Sequence, residues 1–234
     1  MGHLRTFRTG CLNVVATEFI SSPHGYHSRI DANESRLLQE LCDDVVTLLE
    51  EDADLRAPGG DSAHPMTDQL FTLTGIDPAE FAELARSFGD STAQVPEFEM
   101  HRPAPTDAAV QNLLPSAHAE NGPAAQFRAK HEENLRYQKI ADLRTAQIYF
   151  ASRELYLDED QAVLVARVLN HLRLTLAARL KIKDEEDAAK IHQIMDSAQA
   201  VDPRSYMALI YNFLTWWQDT LTEALLVDLP EEEL

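Results

Sequence analysis

The run Asn170-His171-Leu172-Arg173-Leu174-Thr175-Leu176-Ala177-Ala178-Arg179-Leu180 is apolar on nearly every side of a helix, and such a helix must be wrapped by other elements. It should therefore lie centrally in a bundle. At about 100° per residue, Val165, Leu169, Leu172, Leu176 and Leu180 form one stripe, and Arg179 falls inside it. A buried guanidinium has to be paired, because leaving it unpaired is strongly destabilising. The expected partners are Asp219 or Glu223 on the last helix, and the expected role is an internal salt bridge or a carbonyl cap.

The elements that would wrap this helix carry their own punctuation. Asp31 with Glu34 makes a capping box for a helix over about residues 31–52, with Leu37, Leu38, Leu41, Val45, Leu48 and Leu49 at helical spacing. Asp77, Pro78 and Gly89 frame a helix over 77–88. Further helices are predicted over 107–114, 123–151, 158–182 and 204–227, the third of these opened by the capping box Asp158 and Gln161. The acidic stretch from Asp184 to Asp187 opens a polar helix or loop. Residues 4–30 read as a small antiparallel hairpin turned at Ser21-Ser22-Pro23-His24-Gly25. Its strands are drawn at Cys11 to Phe19 and Tyr26 to Ile30, with Leu4 to Arg8 a third strand or a lead-in. Glu154 to Leu157 reads as a brief extended piece. Residues 90–106, with Pro96, Pro103 and Pro105, read as a loop or linker, and residues 228–234 as a solvated acidic tail. Neither side of the linker holds an obvious complete core, so one domain is expected over 1–234. The fold class is mainly α, with a small N-terminal antiparallel β-hairpin packed on a multi-helix bundle.

Charge narrows the function. The chain has 39 acidic and 20 basic residues, a net charge of −19. A surface that binds nucleic acid directly gains affinity by neutralising phosphates with Lys and Arg, so direct DNA binding without a partner is disfavoured, as is an anionic membrane surface. No apolar run approaches the length of a transmembrane helix, and the N-terminus, Met1-Gly2-His3-Leu4-Arg5, lacks the apolar core of a secretory signal. A cytoplasmic location is expected. From Arg128 to Lys183 the chain carries 11 bases against 7 acids, which leaves −23 on everything else. That positive segment reads either as solvated helix faces with internal ion pairs or as a docking surface for acidic segments.

No Gly-rich phosphate loop, nucleophile elbow, Cys-x-x-Cys or His-Glu-x-x-His occurs. The nine His are scattered and read as surface residues, so no metal or cofactor is expected. Asn170, Arg173, Arg179 and Gln218, with Asp219, make a polar cluster that reads as structural; as an active site it would still need a nucleophile or base. On the last helix Tyr206, Ile210, Leu214, Trp217, Leu221 and Leu225 share a face, while Leu209 and Trp216 project elsewhere. That second patch fits internal packing or a homodimer seam equally well. Cys11 lies in the hairpin and Cys42 at the edge of the first helix's stripe, where it would pack on that hairpin. They read either as two buried soft residues or as a reversible disulfide; closing the 31-residue separation would contribute roughly 3 to 4 kcal/mol.

The block from Asn170 to Leu180 resembles the N-D-L-R-L-x-L-G-x-R-L segment of the AosR-like actinobacterial family. The run Tyr211-Asn212-Phe213-Leu214-Thr215-Trp216-Trp217-Gln218-Asp219-Thr220-Leu221 is similar to its closing Y-D-W-L-T-x-L-Q-D-x-L segment. Asn112-Leu113-Leu114-Pro115 and Glu34-Ser35-Arg36-Leu37-Leu38 agree with two further pieces. The chain departs from the pattern at His171, Ala178 and Phe213, and its stretches 58–105 and 184–202 are longer. The resemblance implies a redox-responsive, homodimeric transcription regulator that associates with a stress sigma factor, with Cys11 and Cys42 the candidate redox pair. The acidity fits a basic protein partner of that kind. The alternatives are a constitutive scaffold or proteolysis-adaptor subunit without a redox switch, and, less favoured, an enzyme using Asn170, Arg173, Arg179 and Gln218.

Overall fold

A computed structural model describes residues 15–56, 104–115, 121–194 and 202–227, with 121–130 described by backbone alone. In chain order these hold β1 (Ile20–Ser22), β2 (Gly25–Arg29), α1 (Ala32–Leu55), α2 (Ala108–Leu113), α3 (Asn121–Phe150), β3 (Glu154–Leu157), α4 (Glu159–Leu180), α5 (Glu185–His192) and α6 (Pro203–Val227). The protein is mainly helical with a small antiparallel sheet. The predicted helix over 77–88, the segment Leu4 to Arg8, Cys11, most of the 90–106 stretch and the 228–234 tail lie outside the described residues.

The apolar helix α4 is central, touching α1, α2, α3, α6, β2 and β3. One continuous buried cluster runs through it: Val165, Leu169, Leu172, Leu176 and Leu180 meet Leu38 and Leu49 of α1, Leu143 and Phe150 of α3, and Leu214, Trp217 and Leu221 of α6. The helix ends follow local chemistry. Asp31 and Glu34, and Asp158 and Gln161, form complete capping boxes, and the Asp107 and Asp184 carboxylates cap α2 and α5. Helix α4 stops at Lys181, which adopts a left-handed φ of 59° while the Ile182 N–H returns to the Ala177 carbonyl.

The sheet differs from the predicted hairpin in two ways. Its order is β1-β2-β3, so its third described strand is Glu154–Leu157 from between two long helices, with Tyr26 opposite Leu157 and Arg29 opposite Glu154. The first strand, Ile20–Ser22, also lies after the predicted span Cys11 to Phe19, in part of the predicted turn, and the described residues 15–19 form no strand. Glu34 takes the N–H groups of Val15 and Ala16 at 2.6 and 3.0 Å, and Thr220 takes that of Phe19 at 3.3 Å, so these donors serve side chains rather than a ladder. Burial pushes the Glu34 carboxyl above its usual range, against the backbone N–H bonds that favour its ionised form.

Gly25 closes the β1–β2 turn at φ 106°, and a Cβ there would meet the Leu157 carbonyl oxygen at 2.2 Å. A side chain is excluded by both conformation and space. Gly25→Ala should therefore destabilise the fold by more than about 1 kcal/mol in urea denaturation and loosen β3 from β2, seen as faster amide exchange at Tyr156 and Leu157.

Candidate functional site

The most heavily charged buried site lies where the C-terminal end of α1 meets α3. On α3, Arg136 continues the core stripe of Ile140, Leu143, Ala146 and Phe150, and it is 1% exposed. Its guanidinium donates to the Leu49 carbonyl at 2.5 Å, to Asp52 at 2.9 Å and to Glu132 at 2.8 Å. Arg56 bonds the same two carboxylates from the other side. Two cations and two anions thus form a paired quartet, with Glu133 also 3.9 Å from Arg136, and pairing is what buried charges require. In the sequence its only traces are two i, i+4 pairs, Asp52 with Arg56 and Glu132 with Arg136, which read like ordinary surface pairs.

The expected home of the buried guanidinium was Arg179, and here the structure corrects the sequence reading. Arg179 keeps 43% of its side chain exposed and pairs with Asp107, the N-cap of α2, at 2.8 Å, rather than with Asp219 or Glu223. It stands on the last turn of α4, where its stem lies along apolar surface and its head reaches water and the neighbouring cap. Asp107 is held below the usual carboxylate range: burial works against this, and the bonds from Arg179 and the α2 N–H groups prevail.

Of the polar cluster Asn170, Arg173, Arg179, Gln218 and Asp219, hydrogen bonding joins Arg173 and Gln218, at 2.7 Å. Gln218 passes the connection to the Ala166 carbonyl, and the Arg173 guanidinium lies 5.7 Å from the centre of the Tyr211 ring. Asn170 and Asp219 are exposed. The arrangement ties α4 to α6. Among the described residues no group of His, Cys, Asp and Glu is placed to hold a metal ion.

Cys42 is fully buried, and burial, followed by the neighbouring Asp43 charge, pushes its thiol up to about 12. Helix α1 packs chiefly along α3, and Cys42 belongs to the continuous core cluster that also holds Phe19, Tyr26 and Ile30. Leu209 is 1% exposed within the single chain, whereas Trp216 is part-exposed and its ring lies 6.4 Å from that of Phe213. Of the two candidate seam residues, Trp216 is the one that reaches the surface.

A second polar contact joins α3 to α4. Lys139 Nζ lies 2.8 Å from His171 Nε2, and His171 is 7% exposed. Burial, then the nearby Lys139 and Arg167 charges, push the imidazole down to about 4, so it is neutral at pH 7. Sequence reading passed over this pair because its members are 32 residues apart.

The fold is thus a mainly helical domain whose polar groups are chiefly spent on holding helices together. The chain belongs to the family described as Domain of unknown function (DUF2017), whose model matches residues 16–225. No curated protein and no solved structure matches it.

Removing one member of the quartet strands its neighbours. Arg136→Met should cost about 3 to 5 kcal/mol in urea unfolding, and adding Glu132→Gln should recover part of that loss. His171 sets a pH dependence. Its folded pKa lies below its unfolded value of about 6.5, so its contribution is complete above that value and disappears as pH falls toward 4, a loss of at most about 3 kcal/mol. Denaturant midpoints measured from pH 7 to 4.5 should fall, and His171→Gln should flatten that decline.

Proposed function

We propose that this protein regulates transcription through contact with a basic protein, a stress sigma factor or RNA polymerase being the expected partner, and that it binds no DNA by itself. The observation that carries the reading is where the charges go. Among the described residues, four bases of α3 and α4 are engaged by the chain's own carboxylates: Arg136 in the quartet, Arg144 with Glu50, Arg167 with Asp142, and Arg179 with Asp107. The outward face of α1 meanwhile presents Asp44, Glu51 and Asp54, with Asp43 and Glu50 at its edge bonded to Gln147 and Arg144, Glu40 paired with Arg36, and Arg56 turned into the core. With a net charge of −19, the field outside the molecule favours a cationic partner and repels phosphate. The likeness of two helical blocks to the oxidative-stress regulators supports the same assignment, and with it a homodimer.

The redox part of the reading takes a definite form. A buried thiol with its pKa raised to about 12 is not the thiolate that peroxide attacks. In the switched version Cys11 is oxidised first, and Cys42 resolves it after α1 shifts. The burial of Cys42 equally favours a second reading, a constitutive scaffold or proteolysis adaptor in which neither cysteine responds.

The test is direct binding of purified stress sigma factor by calorimetry at rising salt, with affinity expected to fall as screening increases. A gel shift in which the protein alone binds specific DNA with near-nanomolar affinity in physiological salt would overturn it. Alkylation and mass measurement after mild peroxide separate the two versions: a Cys11 to Cys42 bond abolished by Cys11→Ser supports the switch, and two thiols still free support the constitutive partner.

A further inference from the structure

Most surface lysines are exposed ammonium groups in water or beside a carboxylate, which holds the proton on nitrogen. Lys190, between Glu186 and Asp187, is such a case in this chain. Lys139 differs. It stands half-buried on α3, and its hydrogen-bond partner is a ring nitrogen, His171 Nε2, at 2.8 Å. The imidazole is anchored in the α3–α4 seam, and its other nitrogen, Nδ1, is buried with no hydrogen-bond partner. The charged groups facing the pair are Asp142 on α3 and Arg167 on α4, and they bond each other at 3.3 Å. Asp142 is thereby partly neutralised, and Arg167 keeps 57% of its side chain exposed.

We propose that Lys139 is an acyl-acceptor amine, positioned by His171, that takes acyl groups from donors whose leaving group carries phosphate: acyl phosphates or acyl coenzyme A thioesters. The Lys139 ammonium first gives up one proton to water. The Nζ lone pair then attacks the acyl carbon and an N–C bond forms. The acyl C–O bond of the phosphate donor, or the C–S bond of the thioester, breaks, and its electron pair leaves as phosphate or thiolate. The second Nζ proton passes to water; nothing is oxidised or reduced. Each feature of the site serves this step. Burial, and then Arg167, favour the neutral amine, against the opposing pull of Asp142. The neutral imidazole accepts a hydrogen bond from Nζ at 2.8 Å and holds the amine in place. Arg167, bonded to Asp142 but with 57% of its side chain exposed, supplies a local cation for the anionic donor against the repulsion of the chain's net negative charge. The product is an uncharged amide, which removes the cation from the α3–α4 contact and makes the protein one unit more acidic.

The experiment treats the full chain at pH 7.5 with acetyl phosphate or, separately, acetyl coenzyme A, and follows each lysine by peptide mass spectrometry. Lys139 should acylate several-fold faster than the exposed Lys181, Lys183 and Lys190, with a rate-against-pH midpoint below theirs. His171→Gln should bring Lys139 down to their rate while leaving those lysines unchanged. Preference with either donor supports the proposal, and the arm that reacts identifies the leaving group. A native Lys139 that reacts no faster than Lys190 with either donor overturns it. So does a preference that persists in a folded His171→Gln variant. The comparison among lysines of the unaltered protein decides the matter even where the variant does not fold.

Discussion

The indole of Trp217 is the contact on which the arrangement of this chain depends. It is fully buried on α6 and packs against Phe19, Phe150 and Phe213 at ring separations of 5.0, 6.0 and 5.8 Å. A buried indole N–H needs an acceptor, and it finds Ser28 Oγ at 3.1 Å; Ser28 in turn donates to the Thr17 carbonyl at 2.7 Å. One side chain of the last helix thus holds the segment leading into β1, strand β2 and the end of α3. The neighbouring Thr220 extends the clasp by accepting from Phe19 N–H. These partners lie up to 201 residues apart, so the sheet is seated only once the two ends of the chain have met.

A second constraint is electrostatic. An acidic chain can bring α1 and α3 together only if the charges between them are matched, and the quartet does this at the cost of desolvating four groups. Pairs of half-exposed groups, Arg144 with Glu50 and Gln147 with Asp43, continue the same seam outward. Four bases of the positive segment, Arg136, Arg144, Arg167 and Arg179, thus serve as internal counterparts to the chain's own acids. What remains on the outside is the negative excess on which the partner proposal rests.

Much of the fold was legible because its signals are local. Asp31 with Glu34, Asp107 and Asp158 with Gln161 each announce a helix start by a bond that spans at most three residues, and α4 announces its central position by the breadth of its apolar surface. The candidate site was legible only in part. Arg173 and Gln218 do meet, but they join helices without gathering Asn170, Arg179 and Asp219 around them. Arg179 was singled out for standing on an apolar stripe, and Arg136 stands on a stripe just as clearly; what separates them is which helix end lies opposite. At Arg179 that is the exposed cap of α2, and at Arg136 it is the acidic end of α1.

By itself, then, the sequence indicated where most of the described helices begin, which of them must be central and how acidic the whole must be. These properties depend on composition and on contacts within one or two turns. Only the tertiary structure decided which charges are buried, that β3 completes the sheet, that Cys42 is sealed in the core and that Lys139 meets His171. Each of those depends on what a different element presents across a gap of a few ångströms, and burial there changes the energy of a charge or a thiol far more than its neighbours in sequence can.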